Sequence, residues 1–173
     1  ADAEADVLCV TELDLPAWGI HYFSQALALR QKHAKLGQHA SHGKNTHIFR
    51  TAIITSDHMP NGYLPTDHHG DTADLHASGR WVEERIPLSD GCGSIVVAAY
   101  YGIAGASSPG AKMEENERLL AAALTRMATL RDIPYILCTD ANVNARTSGA
   151  LSAAISGGLA VDLVRDHFGL EEP

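Results

Sequence analysis

The chain has 173 residues, a formal charge of −8, 45% hydrophobic residues and 20% charged ones. That is enough chain for one domain with a real core. No apolar run approaches a membrane span and nothing at the N-terminus resembles a signal peptide, so no membrane partner is expected. The acidic balance argues against a protein held to nucleic acid by a broad basic surface. It leaves a nuclease open, because carboxylates that hold a divalent cation turn a negative site into one that accepts phosphate. The three cysteines, Cys9, Cys92 and Cys138, are odd in number and have no CxxC spacing. Buried free thiols in a reducing, intracellular compartment are the expectation.

The chain opens almost directly on an apolar run, Asp6-Val7-Leu8-Cys9-Val10, ending at Thr11-Glu12, with no initiator Met. This reads as a buried strand behind a cut start. Asp14-Leu15-Pro16 then leads into a helical stretch with an apolar stripe at Ile20, Phe23, Leu27 and Ala34. Arg30, Lys32 and Lys35 lie towards its end and Gly37 stops it. Thr46 to Thr55 alternates around Ile48, Ala52, Ile53 and Ile54 and predicts a strand.

Ser56 to Ser78 reads as a long solvated loop. It holds His58, Asp67, His68, His69, Asp71, Asp74 and His76, but the spacing matches no zinc pattern and no Cys takes part. Its Asp-His-His run lacks the core strand and acidic companions of the phosphoesterase motif of that sequence. Arg80–Leu88 and Ser94–Tyr101 predict two strands joined at Ser89-Asp90-Gly91. Lys112–Arg131 is the clearest helix, with Leu120, Leu124 and Met127 on one face and Met113 and Leu130 extending it. A short helix near Ser148–Ser156, the turn Gly157-Gly158 and the apolar run Leu159–Val164 complete the chain. Hairpins followed by a helix–strand unit point to a mixed α/β sheet in a single domain without internal repeats.

The stretch around which the rest is organised is Pro134 to Ala145. A short apolar run, Tyr135 to Cys138, stops abruptly at Asp140 and Asn142. Ligands of open α/β sheets bind beyond the carboxyl ends of strands. Glu12 ends the first strand in the same way, so Glu12 and Asp140 are expected to share one acidic site. The bland alternative is that each acid only caps a loop.

Asp6-Val7-Leu8-Cys9-Val10-Thr11-Glu12 resembles the "D-hydrophobic-Q-E" strand of the endonuclease/exonuclease/phosphatase superfamily. Gly79-Arg80-Trp81-Val82 and Val97-Ala98-Ala99-Tyr100 are similar to that family's central hairpin, which in abasic-site and retroelement endonucleases ends in a catalytic Tyr. Pro134–Ala145 is similar to its "P-hydrophobic-C-G-D-x-N" segment, and Leu159-Ala160-Val161-Asp162 to the "G-L-x-D" element. These pieces run in the family's order over nearly the whole chain.

The resemblance implies an α/β (α+β) fold, part of a four-layer α/β sandwich with mixed, largely antiparallel sheets. It implies Mg²⁺ or Mn²⁺ held by Glu12, a water oriented or deprotonated by Asp140, and Asn142 holding Asp140 and donating to a phosphate oxygen. Tyr100 would contact the same phosphate, with Tyr101 as its rival. The substrate would be nucleic acid or another phosphodiester.

The departures are specific. The family's first strand, with its metal-site Asn, should precede Asp6. Its closing Asp and Ser-Asp-His should lie well beyond the Asp-x-Asn strand, and Asp166-His167 comes too soon to be that pair. Thr139 replaces the usual Gly. The expectation is therefore a domain incomplete at both ends, binding Mg²⁺ weakly and turning over slowly or not at all. Two further readings stand beside hydrolysis of nucleic acid: a small-substrate phosphatase on this fold, and a non-catalytic truncated or decayed copy. Oligomeric state is silent in the sequence.

Overall fold

The computed structural model describes residues 5–37, 40–42, 46–60, 62–65, 70–88, 91, 93–130, 132–167 and 169. Three small sheets form from nine strands among these residues. In the first, β1 (Val7–Val10) and β3 (Lys32–Leu36) pair antiparallel with a central β6 (Ala52–Ser56). In the second, β2 (Leu15–Pro16) and β4 (Ala40–His42) flank β5 (Thr46–Phe49). In the third, β8 (Ser94–Tyr101) lies between an antiparallel β7 (Trp81–Pro87) and a parallel β9 (Tyr135–Asp140). The parallel pairing needs a crossover, and the helix α3 (Ala111–Thr129) supplies it.

The layers follow from the alternation of side chains along β8. Val96, Ala98 and Tyr100 face the helices α3 and α2 (Gly70–Ala77), in a core shared with Trp81, Leu75, Leu119, Leu120, Ala123 and Met127. Val97 and Ala99 face the first sheet, with Val82, Ile86, Ile53 and Cys9. The helix α1 (Ile20–Ala28) packs on β3, on the outer side of that sheet. The order is helix, sheet, sheet, helix, the four-layer α+β arrangement.

Several expectations need correction. The helix predicted to run to Gly37 stops at Ala28, and Lys32–Leu36 is strand β3. Gln31 turns the chain with a φ of 55°, and pairing with the fully buried β6 overrides the apolar stripe that continued through Ala34. The strand predicted over Thr46–Thr55 breaks at Arg50-Thr51 into β5 and β6, which join different sheets. Within the predicted loop 56–78, Gly70–Ala77 is helix α2, anchored by buried Thr72 and Leu75. Asp67, His68 and His69 lie outside the described residues, as do Ser89, Asp90 and Cys92. Strand β9 is less buried than its apolar run predicts, with Ile136 exposed.

The helix α4 (Gly149–Ser156) starts as predicted, and Ser148 caps it by accepting from the Leu151 N–H at 3.2 Å. The Leu159–Val164 run is an irregular stretch followed by the one-turn helix α5 (Leu163–Asp166), with Leu159, Val161 and Leu163 exposed. Cys9 and Cys138 are free and half-buried. The two thiols are coupled to each other, which pushes the Cys9 pKa up and the Cys138 pKa down. Among the described residues no helix is long and apolar enough to cross a membrane.

Candidate active site

Three strands finish at the same lip of the sandwich. The β8–β9 register sets Tyr101 beside Asp140, and the Tyr101 hydroxyl donates to Glu12 Oε1 at 2.7 Å. Glu12 comes from the end of β1 in the facing sheet, so one tyrosine touches the first acid and neighbours the second. The Tyr101 pKa is raised, first by the hydrogen bond to Glu12, then by burial and by the charges of Glu12 and Asp140. Both carboxylates are exposed to solvent.

Asp140 and Asn142 are tied to each other and to the end of β8. The Asn142 N–H donates to Asp140 Oδ1 at 3.3 Å, and Asn142 Nδ2 donates to the Gly102 carbonyl at 3.3 Å. The Gly102 N–H in turn donates to the Asp140 carbonyl at 2.7 Å. The backbones come so close there that a Cβ on residue 102 would sit 2.1 Å from the Ala141 oxygen. Only glycine fits such an approach.

Tyr100 is not brought to this group. It lies on the opposite face of β8, fully buried, and its hydroxyl donates to Asn116 Oδ1 at 2.9 Å. Burial pushes its pKa up. The tyrosine at the lip is Tyr101. The sequence held the deciding signal in the period-2 parity of β8, which puts these two residues on opposite faces. Which face meets Glu12 depends on sheet stacking, and that is a long-range property.

Arginines were missed entirely. Arg80, from the turn into β7, donates through Nη1 to the carbonyls of Gly102 at 2.7 Å and Tyr101 at 3.2 Å. Its guanidinium carbon stands 5.3 Å from the centre of the Tyr101 ring, within cation–π range. Burial first, and repulsion by Arg50 second, lower its pKa. Arg50 pairs with Asp14 at 3.6 Å, just beyond Glu12. Two cations therefore border the acidic lip.

The backbone at this lip is strained. Four non-glycine residues have a positive φ among the described residues, and Glu12 (56°), Asp14 (43°) and Asn142 (52°) are three of them. Such conformations cluster at functional sites when the surrounding structure over-determines them. Asp166-His167 sits elsewhere, at the exposed end of α5, where Asp166 accepts from Arg165 Nε at 2.7 Å.

The donor set suits a hard cation. Among the described residues no cluster of three or more His, Cys, Asp and Glu could by itself enclose a metal. Mg²⁺ needs less, since it keeps several waters and is commonly held by one or two carboxylates plus substrate oxygens. Glu12, with Asp140 nearby, fits that pattern, whereas a zinc site would call for His or Cys. Chemically, the lip can present a carboxylate to a water, an amide to an anionic oxygen and a cation to Glu12.

No protein-family model and no curated protein matches the chain. Solved structures do. The catalytic domain of human Nocturnin, with a bound sulfate anion, matches with a TM-score of 0.61 and 15% identity, over 97% of this chain and 63% of that one. ANGEL2, a 2',3'-cyclic phosphatase solved with adenosine-2',3'-vanadate, matches at 0.59 with 18% identity, over 89% of this chain and 44% of that one. The 3'-5' exonuclease NExo from Neisseria meningitidis matches at 0.50 with 19% identity, over 80% and 48%. The chain thus spans less than two thirds of the length of each of these three proteins. What these likenesses show is the fold: the chain has the same α+β sandwich as these solved structures.

Proposed function

We propose that this chain carries a divalent-cation-dependent phosphodiester-hydrolysing site of endonuclease type, acting on nucleic acid. The observation that carries the proposal is Tyr101, which bonds to Glu12 and lies in register with Asp140, so that strand ends from two sheets form one acidic lip. The neighbouring fold types support it, since a 3'-5' exonuclease and a 2',3'-cyclic phosphatase are built on the same architecture.

Each residue then has a physical task. Glu12 would hold Mg²⁺ or Mn²⁺, with Tyr101 fixing its carboxylate. When bound, the cation supplies positive charge that stabilises the phosphoryl oxygens as negative charge develops on them. Asp140 orients a water for in-line attack and takes its proton. Asn142 keeps Asp140 directed through its own N–H, and its side-chain amide can turn from the Gly102 carbonyl to an anionic phosphate oxygen. Arg80 and Arg50 draw a polyanion towards a surface that is otherwise negative.

The test is cleavage of an abasic-site duplex, a single-stranded oligonucleotide, a 2',3'-cyclic nucleotide and a generic phosphodiester, with and without Mg²⁺ or Mn²⁺. Cation-dependent cleavage of the duplex that falls about 10²–10⁴-fold in Asp140→Asn supports the reading. Turnover of the cyclic nucleotide alone would favour a small-substrate phosphatase. No turnover on any of the four would leave a non-catalytic copy of the fold.

A further inference from the structure

Asn116 stands in the second turn of α3, away from the lip, and is completely buried. A buried amide must find partners, and this one finds three in the two strand-end segments of the site. Its Oδ1 accepts from the Ile103 N–H at 2.8 Å and from the Tyr100 hydroxyl at 2.9 Å. Its Nδ2 donates to the Ala141 carbonyl at 2.9 Å. Ala141 separates Asp140 from Asn142, and Ile103 follows the Gly102 that both segments share.

The Ala141 bond carries the consequence. The peptide unit from Ala141 to Asn142 is planar, so fixing its carbonyl fixes its N–H, which points the opposite way. That N–H is the group that donates to Asp140 Oδ1. Asn116 therefore grips one end of a rigid plate whose other end meets the carboxylate. The positive φ of Asn142 (52°) makes the grip necessary, because a backbone in that region relaxes unless it is held. The Ile103 bond holds the facing segment, so one side chain grips both strand ends in addition to the Gly102 bonds that join them directly.

We infer that Asn116 is a positioning residue: through the Ala141–Asn142 peptide it sets the direction of the Asp140 carboxylate, without touching substrate. The effect on rate rests on the hydrolytic reading above, whereas the effect on backbone order does not. Asn116→Asp is the informative substitution. It keeps an oxygen for Ile103 and Tyr100 and places a second oxygen against the Ala141 carbonyl, where two acceptors repel.

Two measurements are made on Asn116→Asp, with Tyr100→Phe as the comparison, since it removes a bond to the same amide and leaves the Ala141 bond intact. Amide hydrogen exchange at Asn142 should accelerate by about tenfold or more in Asn116→Asp and stay unchanged in Tyr100→Phe, with Ile103 protected in both. In the hydrolysis assay, kcat should fall about 10- to 100-fold in Asn116→Asp with KM within about twofold, and Tyr100→Phe should match the wild type. If Asn116→Asp does not fold, Asn116→Ser is measured in the same way. Unchanged exchange at Asn142, or equal acceleration in Tyr100→Phe, overturns the inference. An inactive wild-type chain overturns the hydrolytic reading instead, and the exchange result then decides the positioning role alone.

Discussion

Neighbouring residues on β7 and β8 face two differently built halves of the molecule. Glu83 and Tyr100 look towards the helices, Glu84 and Tyr101 towards the other sheet. On the helix side the polar groups are given over to holding layers together. Arg126 donates three hydrogen bonds to Glu83, at 2.8, 3.0 and 3.1 Å, and a fourth to the Pro65 carbonyl at 2.6 Å. Tyr100 is closed off by Asn116. On the sheet side Glu84 is buried with one oxygen lacking a hydrogen-bond partner among the described residues. Tyr101 carries its hydroxyl to the rim and Glu12. On the helix side the ion pair and the tyrosine hydroxyl tie layers together, although Trp81 Nε1 lacks a hydrogen-bond partner there among the described residues; on the sheet side a tyrosine hydroxyl is carried out to the lip.

That contrast can be broken from the helix side first. Arg126→Ala leaves the buried Glu83 carboxylate with only the His76 ring, at 3.9 Å, as a charged neighbour among the described residues, and removing one partner of such a buried pair costs about 3–5 kcal/mol. Urea denaturation should show this loss, or a chain that no longer folds. A midpoint close to the wild type would mean that water reaches Glu83 and that the face is not closed.

The two tyrosines sharpen the comparison next. Tyr100→Phe should lower stability by about 1 kcal/mol, the net worth of a buried hydrogen bond, and leave cation binding alone. Tyr101→Phe should do the reverse: a melting temperature within a few degrees of wild type and weaker Mn²⁺ binding by calorimetry, because Glu12 loses the group that orients it. Exchanged phenotypes would place Tyr100 at the site after all.

The smallest effect belongs to Glu84. Burial raises its pKa from the ordinary 4.5, while the charges of Lys35 and His33 oppose the shift. A carboxyl that holds its proton more tightly when folded contributes stability that is complete below its unfolded pKa. That contribution is lost as pH rises through the folded value. Glu84→Gln should therefore flatten the fall in stability that accompanies ionisation of this carboxyl as pH rises above the ordinary carboxylate range. A parallel fall in both proteins would show that the carboxyl is ionised without cost.

How far the sequence could be read depends on whether a signal was local. The β1 and β8 runs, the long amphipathic α3 and the Ser-capped α4 all carry local signals, and each forms close to where its residues place it. Glu12 and Asp140 were legible because both end apolar strands abruptly. Strand β3 was not, since its alternation matters only once β6 lies beside it. Helix α2 was hidden by a polar sequence in which Thr72 and Leu75 alone are buried. Tyr101, Arg80 and Asn116 owe their positions to contacts between segments 13 to 89 residues apart. No window of sequence contains such contacts.

The central claim is that Glu12, Tyr101, Asp140 and Asn142 make one cation-accepting lip. Its most direct test is a Mn²⁺ titration of the isotopically labelled chain followed by NMR, in which resonances near the bound ion broaden first. The account predicts broadening that begins at these four residues and at Gly102, and that is lost in Glu12→Gln. The competing acidic surface is Asp71, Asp74 and Glu115, whose carboxylates are already engaged by Arg118 at 2.7 to 3.0 Å. Broadening that starts there, and survives Glu12→Gln, would contradict the account.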